Sequence, residues 1–265
     1  MNKIFELNHP PVFNLGLTLD CGQAFRWTEL DGKWHGVAYG KALTVFEKDN
    51  KIVFECSEED FYSIWNNYFD LDFNYQEVLN EYNDEHLKSA ISEYNGIRIL
   101  RQEPWEALCS FIISANNNIP RIKGIISRLC EEFGEGESGC KSFPSAEALA
   151  KLTVEDLAPL RSGFRAKYII DAAQKVANGT VDLQKIQEES IEFGREELQK
   201  IKGVGAKVAE CTLLYGFHKI DAFPVDVWVK RIMAELYPDG LPACTKGTEG
   251  IAQQYLFHWR RMKDK

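Results

Sequence analysis

Nowhere in the 265 residues is there an uninterrupted apolar run of about 18, so no membrane-spanning helix is expected. The opening Met1-Asn2-Lys3-Ile4-Phe5-Glu6 is broken at once by polar and acidic residues, so no secretory leader is expected either. No Cys-x-x-Cys pair occurs. The seven cysteines (21, 56, 109, 130, 140, 211 and 244) are scattered and odd in number. That argues against a disulfide framework, a cysteine zinc site and a cysteine-ligated iron–sulfur cluster, and it fits a reducing cytoplasm. Basic residues are also in deficit: 31 Lys and Arg against 40 Asp and Glu give a net charge of −9. A broad phosphate-binding face normally needs the opposite balance. Internal repeats, low-complexity runs and long linkers are missing too.

What remains is ample apolar material, 45% of the chain, enough for one large or two small cores. Residues 10–56 alternate apolar and polar side chains. Phe25–Leu30 and Trp34–Ala38 flank Asp31-Gly32-Lys33, and Leu43–Glu47 and Ile52–Cys56 flank Lys48-Asp49-Asn50-Lys51, which predicts two hairpins of an antiparallel sheet. From Ser57 the period changes to that of a helix, with Phe61, Ile64, Trp65 and Tyr68 on one face. Helical patterns continue almost to the end. Pro104 opens one, Asn118 and Pro120 open the next before a stop at Gly134, and Ser145 caps another. Thr153-Val154-Glu155-Asp156 has the form of a capping box. Helices are expected over Gly163–Val176 and from about Thr248 to Arg261. The expected fold class is therefore α+β: an N-terminal antiparallel sheet with helices over 1–90, then an all-helical region over 91–265.

Charge is unevenly spread. Ser57–Leu87 holds nine acidic residues and no Lys or Arg. Basic residues recur at Arg121, Lys123 and Arg128, at Arg161, Arg165 and Lys167, at Lys202 and Lys207, at Lys230 and Arg231, and at Arg260, Arg261, Lys263 and Lys265. One mildly basic face opposite an acidic one suits a local grip on a polyanion, with modest affinity and a shallow salt dependence.

The most informative stretch is Ile201-Lys202-Gly203-Val204-Gly205-Ala206-Lys207-Val208-Ala209-Glu210-Cys211, which lies between two helical patterns. It predicts helix, tight hairpin, helix. Glycine permits positive φ and lets another molecule come close to the backbone. The free N–H groups at the start of the second helix make an anion site that fits a phosphate. Lys207 falls in the first turn, where the helix dipole disfavours a cation and so favours the neutral amine a nucleophile needs. Downstream, Phe223-Pro224-Val225-Asp226 opens another helix with Asp226 at its N-cap. Taken singly, these residues also fit an ordinary helix–helix turn, a solvated lysine and a simple cap. Their combination points to chemistry.

The combination resembles the helix-hairpin-helix DNA glycosylases that carry a Gly/Pro-rich loop and an aspartate, and within them the 8-oxoguanine DNA glycosylase/AP lyases. Cys21-Gly22-Gln23-Ala24-Phe25-Arg26-Trp27 is similar to their N-terminal motif. Ser114-Ala115-Asn116-Asn117-Asn118-Ile119-Pro120-Arg121-Ile122 is similar to their Asn-rich junction. Ser162-Gly163-Phe164-Arg165-Ala166-Lys167-Tyr168 resembles their Tyr-Arg loop, with Phe for Tyr. Phe223-Pro224-Val225-Asp226-Val227 resembles the aspartate motif, and Gly250–Phe257 the C-terminal helix that closes the base pocket. These stretches span residues 21–257 in the family's order. The compact length resembles a bacterial-type branch.

The resemblance implies a base-excision-repair enzyme acting on double-stranded DNA that contains 8-oxoguanine, as a monomer without membrane attachment, in the cytoplasm or on a bacterial nucleoid. A base must leave the duplex stack before chemistry. Asn116 and the Phe164 wedge are implied to fill the gap, and Arg121 and Arg165 to bond the orphaned partner base, expected to be cytosine. Phenylalanine lacks tyrosine's hydroxyl, which bears on that preference. Gly203, Val204 and Gly205 are implied to hold a phosphate of the damaged strand. In the base pocket, a carbonyl at Gly22 is implied to accept from N7–H, the group that distinguishes the lesion from guanine. Gln253 is implied to bond the pairing edge, and Phe257 to stack on one face. Cys211, four residues after Lys207, is implied to lie on the other face, as a thiol able to share or lose its proton beside an ammonium. Lys207 is the implied nucleophile, and Asp226 the group that stabilises charge on the sugar. No metal or organic cofactor is implied. Trp228 stands where the family often has histidine.

Two alternatives stay open on sequence. A helix-hairpin-helix glycosylase for another oxidised base, such as a pyrimidine, usually carries a C-terminal four-cysteine cluster, whereas only Cys244 lies beyond Cys211 here. A non-catalytic DNA-binding module would use the hairpin but have no need of Lys207 or Asp226.

Overall fold

The computed structural model describes residues 3–263. Met1 and Asn2 of the opening stretch, and Lys265 of the C-terminal basic group, lie outside the described residues. Five strands form one antiparallel sheet in the order β1-β5-β4-β3-β2: β1 Phe5–Asn8, β2 Trp27–Leu30, β3 Lys33–Ala38, β4 Lys41–Lys48 and β5 Lys51–Phe54. The two expected hairpins are β2–β3, pairing Trp27 with Gly36, and β4–β5, pairing Val45 with Phe54.

Two elements depart from the alternating pattern expected over 10–56. Leu15–Asp20 is a helix, α1, whose Asn14 cap accepts from Leu17 N. Strand β1 lies before the expected sheet and pairs with β5, Phe5 opposite Phe54. At four residues it is too short for its own pattern to declare it, and its partner lies more than forty residues away.

Ser57 caps the following helical segment as expected, accepting from Asp60 N. The segment runs from α2 (Glu58–Asp60) through a π-turn (Phe61–Trp65) to α3 (Asn66–Tyr68). Two helices then cross the acidic region, α4 (Tyr75–Glu81) and α5 (Glu85–Glu93). The rest is helical: α6 Pro104–Ser114, α7 Ile119–Phe133, α8 Ala146–Leu149, α9 Ala166–Ala177, α10 Leu183–Glu188, α11 Ile191–Leu198, α12 Ala206–Gly216, α13 Val227–Leu236 and α14 Glu249–Lys263. The expected box at Thr153–Asp156 forms reciprocally, with Asp156 accepting from Thr153 N and Thr153 Oγ1 from Asp156 N, but it caps a turn and a short 3-10 segment rather than an α-helix. No helix among the described residues is long and apolar enough to cross a membrane.

Apolar side chains bury in two clusters. One lies between the sheet and the α2–α3 segment, around Trp27, Val45, Phe54, Phe61, Trp65 and Phe69. The larger fills the helical region and also takes in Val12, Cys21 and Phe25 from the N-terminal part. The link between α1 and β2 is thereby drawn in among the helices.

Buried polar groups join the two regions. Asp70 is almost fully buried and accepts from Tyr75 Oη (2.8 Å) and Arg101 Nε (2.7 Å), with His218 Nε2 at 2.9 Å. Arg98 donates to the carbonyls of Val12 (2.7 Å) and Asp70 (2.6 Å) and lies over the Tyr75 ring. Burial alone would raise the Asp70 pKa, but the His218 hydrogen bond and charge, with Arg101, outweigh it and hold the carboxyl below its ordinary 3.8. A depressed folded pKa means that the stabilisation is complete above the unfolded value and is lost as pH falls through the folded one. Asp70→Ala should therefore lower stability by about 3–5 kcal/mol at neutral pH, because Arg101 and its neighbours lose a buried partner. In urea denaturation the contribution of the Asp70 carboxylate should be lost as pH falls below 3.8.

Candidate active site and nucleic-acid interface

Lys207 is the second residue of α12, behind its Gly205 cap. Its Nζ lies 3.5 Å from Ser114 Oγ and 5.3 Å from the centre of the Phe111 ring, both on α6. No ion pair of Lys207 occurs among the described residues. Asp226 caps α13, and its Oδ1 accepts from Val229 N at 2.8 Å.

Lys207 and Asp226 share a narrow pocket of about 50 Å³ with Gly22, Cys211, Gln253 and Phe257. All six residues singled out for catalysis and base contact thus meet at one place, although the sequence spreads them over more than 230 positions. Phe111, Tyr215 and Pro224 complete the lining. Sequence reasoning missed these three as site residues, because an aromatic on an apolar helix face looks like any core residue; Phe111 and Tyr215 are indeed buried and stacked on each other, 5.2 Å apart.

Gln253 is buried, and its Nε2 donates to Pro224 O at 3.3 Å, while its Oε1 has no partner among the described residues. A buried acceptor without a donor is costly, and here it leaves a hydrogen-bond acceptor available at the pocket. Cys211 corrects one expectation. Burial raises its thiol pKa, and the pull of Lys207 beside it does not reverse the shift. The thiol therefore keeps its proton in this pocket, since desolvation of a thiolate outweighs one neighbouring cation.

Behind the pocket, Gly22 takes φ +94°. Its neighbour Gln23 is fully buried and saturated. Nε2 donates to Thr18 O and Arg98 O, both at 2.8 Å, and Oε1 accepts from Leu100 N at 2.9 Å.

The hairpin between α11 and α12 uses its two glycines differently. Gly203 has φ +81°, and a Cβ there would lie 2.4 Å from the Tyr168 ring. Gly205 is extended, and nothing lies within 4 Å of where its Cβ would be. Its bare Cα leaves the first N–H groups of α12 open to an incoming anion. Val204, between them, is buried, with its N–H closing the turn onto Ile201 O. Asp171 on α9 braces the turn by accepting from Lys202 N at 2.8 Å.

The Asn-rich junction and the Phe-Arg loop meet beside each other. Asn116 is exposed with φ +49°, and Phe164 is 52% exposed. Asn118 is the cap of α7, accepting from Arg121 N, and leaves the Arg121 side chain exposed. Arg165 departs from its implied role. It is only 2% exposed, and it donates to Ala115 O, Asn116 O (2.7 Å) and Ser162 O (3.2 Å). The junction ends in carbonyls without helical donors, and the guanidinium satisfies them. Arg165 thus ties the two loops together instead of projecting outward, and its guanidinium lies 4.5 Å from the Phe164 ring centre.

A larger open groove of about 960 Å³ lies between the sheet and α7. It holds none of these residues. Three of its cations are engaged, Arg26 by Glu106 at 3.2 Å, Lys123 by Trp27 O at 3.0 Å and Lys141 by Glu131 O at 2.5 Å. Volume alone does not mark the site here.

Comparison with known proteins agrees with this geometry. Residues 6–108 match the N-terminal domain of 8-oxoguanine DNA glycosylase, and residues 109–244 match the HhH-GPD superfamily of base excision DNA repair proteins. The chain belongs to that superfamily, with the glycosylase N-terminal domain ahead of it. An N-glycosylase/DNA lyase of Saccharomyces cerevisiae is 35% identical over 256 residues, which cover 84% of this chain and 68% of the yeast protein. The structure of Clostridium acetobutylicum 8-oxoguanine glycosylase/lyase, in complex with double-stranded DNA containing cytosine opposite 8-oxoG, superposes with a TM-score of 0.89 at 35% identity over the whole of both chains. A 3-methyladenine DNA-glycosylase from Archaeoglobus fulgidus shares the fold at 18% identity, with a TM-score of 0.75 over 98% of this chain and 99% of that one.

The two glycines predict different outcomes. Gly203→Ala should cost about 1–3 kcal/mol, from left-handed strain and the clash with Tyr168. Gly205→Ala should leave stability unchanged. Thermal melting of the two variants beside the wild type checks this.

Proposed function

We propose that this protein excises 8-oxoguanine from duplex DNA and then cuts the strand, acting as a bifunctional DNA glycosylase/AP lyase. The observation that carries the reading is the shared pocket: a lysine without an ion-pair partner, a helix-capping aspartate and an unpartnered glutamine oxygen line one narrow slot walled by an aromatic ring. The pairing edge of a guanine-type base presents N–H donors, which is what the Gln253 Oε1 lacks. Phe257 is the less buried aromatic wall, placed to stack on the base, with Cys211 on the other side as a neutral thiol. A carbonyl at Gly22 would accept from N7–H of the lesion, where guanine offers an acceptor instead.

In this reading Lys207 Nζ, as a neutral amine, attacks C1′ of the flipped nucleotide. The C1′–N9 bond breaks, and its electron pair leaves with the base, which takes up a proton. Asp226 lowers the cost of positive charge on the sugar as the base departs. Loss of the amine proton and opening of the sugar ring give an iminium between Lys207 and C1′. The iminium acidifies C2′–H, and removal of that proton expels the 3′-phosphate by β-elimination. Water then releases the lysine.

Asn116 and Phe164, both exposed, would enter the gap left in the stack. With Arg165 bound to carbonyls, Arg121 is the exposed guanidinium on that side for the opposite base. The open N-terminus of α12 would take a backbone phosphate, and the Arg231 guanidinium, 5.3 Å over the Trp228 ring, returns a cation to the corner occupied by tryptophan. One chain supplies every one of these groups, so we read it as acting as a monomer.

Borohydride should trap a covalent protein–DNA band on a duplex carrying 8-oxoguanine opposite cytosine. Lys207→Gln should abolish the band and slow base release by about a thousandfold or more while leaving DNA binding intact. Asp226→Asn keeps the cap, since asparagine caps as well as aspartate, yet it should slow base release by about a hundredfold or more. A trapped band on an oxidised pyrimidine but not on 8-oxoguanine would move the assignment to a different glycosylase. Binding without any band would make the protein a binding module.

A further inference from the structure

One cation near the pocket is not accounted for by the roles above. Arg261 lies on α14 one turn after Phe257, so both side chains leave the same face of the helix. Its guanidinium carbon is 5.9 Å from the Phe257 ring centre. Its Nη1 lies 3.5 Å from Cys21 O and only 3.2 Å from where a Cβ on Gly22 would be. The other arginine and lysine of this turn are committed outward, Arg260 to Glu235 at 2.5 Å and Lys263 to Glu93 at 3.8 Å. Among the described residues Arg261 has no carboxylate partner. A half-buried guanidinium with only one long bond therefore stands against the glycine that lines the pocket.

We infer that Arg261 is a specificity-determining residue, whose guanidinium donates a hydrogen bond to the C8 oxygen of the excised base. The inference rests on the 8-oxoguanine reading above. Guanidinium only donates, and a peptide carbonyl only accepts. Set side by side at Gly22, they form a donor–acceptor pair. The damaged edge of 8-oxoguanine presents the complement, a C8=O acceptor next to an N7–H donor. Undamaged guanine has neither, for its C8 carries hydrogen and its N7 is an acceptor. A carbonyl alone reads one of the two changes, whereas carbonyl and guanidinium together read both. A Cβ on Gly22 would press on Arg261 Nη1 at 3.2 Å, while Ile119 and Phe257, at 3.7 and 3.8 Å, would stay in ordinary contact, and φ +94° disfavours any side chain there.

The test compares two steps that differ in whether a base is present. Single-turnover release of 8-oxoguanine and strand cleavage at a preformed abasic site are measured for the wild type, Arg261→Met and Arg261→Lys, with thermal melting of each. Methionine keeps the apolar stem and removes the donor; lysine keeps a donor and a charge. The inference expects Arg261→Met to slow base release about ten- to a hundredfold, the range for a hydrogen bond from a charged group. It expects abasic-site cleavage to be unchanged, and Arg261→Lys to recover most of the loss. An equal fall in both steps, with a lower Tm, would overturn it and leave Arg261 as a strut for α14. Unchanged base release in Arg261→Met would overturn it as well. A wild type that cleaves abasic sites but releases no 8-oxoguanine would overturn the substrate reading itself and this inference with it.

Discussion

The side-chain amide of Gln23 is the constraint on which the geometry of the pocket depends. It is out of contact with water, and each of its polar atoms is used, so removing any partner would strand a buried group at a cost of about 1–3 kcal/mol. Its bonds hold the loop after α1 against the strand-like segment at Arg98–Leu100. The network then continues into the helical region. Gln102 Nε2 donates to Gln23 O at 2.8 Å, and Gln102 N donates to Tyr215 O at 3.0 Å. Tyr215 Oη donates to Gln254 Oε1, and Gln254 Nε2 reaches back to Cys21 O at 3.4 Å. Gly22, the end of α12 and α14 are therefore closed into one ring of hydrogen bonds. Pocket residues from opposite ends of the chain keep their spacing because that ring has little slack.

A second frame serves the surface that faces outward. Along α9 and the turn before it, Phe164, Tyr168, Asp171 and Lys175 recur at helical spacing. Phe164 meets Tyr168 edge to face at 5.9 Å, Tyr168 packs under Gly203, Asp171 holds Lys202 N, and Lys175 donates to Lys200 O at 2.5 Å. The Phe164 ring and the hairpin are thus carried by one helix face. Arg165 extends the frame to the Asn116 loop. The exposed Phe164 ring beside Asn116, at positive φ, persists because a buried guanidinium over-determines the loops around it. The same arrangement explains how a chain of net charge −9 can present a surface for DNA. An anion site of backbone N–H groups at the start of α12, as proposed, would need few cations, while the acidic surplus is concentrated in the Ser57–Leu87 region.

Much of this was legible in the order of residues. The two hairpins, the caps at Ser57, Asn118, Ser145 and Asp226, the Gly203–Gly205 turn and the position of Lys207 one residue inside its helix all follow from short-range rules of turn chemistry and hydrophobic period. The helix α1 and strand β1 did not follow. A six-residue helix resembles an alternating strand, and a four-residue strand is defined only by the distant neighbour it pairs with. The roles of Arg165 and Cys211 were open to error for another reason. A loop arginine next to an exposed wedge reads as a DNA contact until the carbonyls it satisfies are located. A cysteine one turn from a lysine reads as a candidate thiolate until its burial is known.

The sequence by itself determined most of the local devices: the two hairpins, the caps that start the longer helices, and that a lysine and an aspartate stand at two helix N-termini. These depend on interactions within a few residues. Only the tertiary structure decided that Gly22, Lys207, Cys211, Asp226, Gln253 and Phe257 enclose one pocket, that the Gln253 oxygen is left without a donor there, and that Arg261 stands against Gly22. Those facts rest on contacts across more than 200 residues, set by packing and by buried hydrogen bonds that no local pattern encodes.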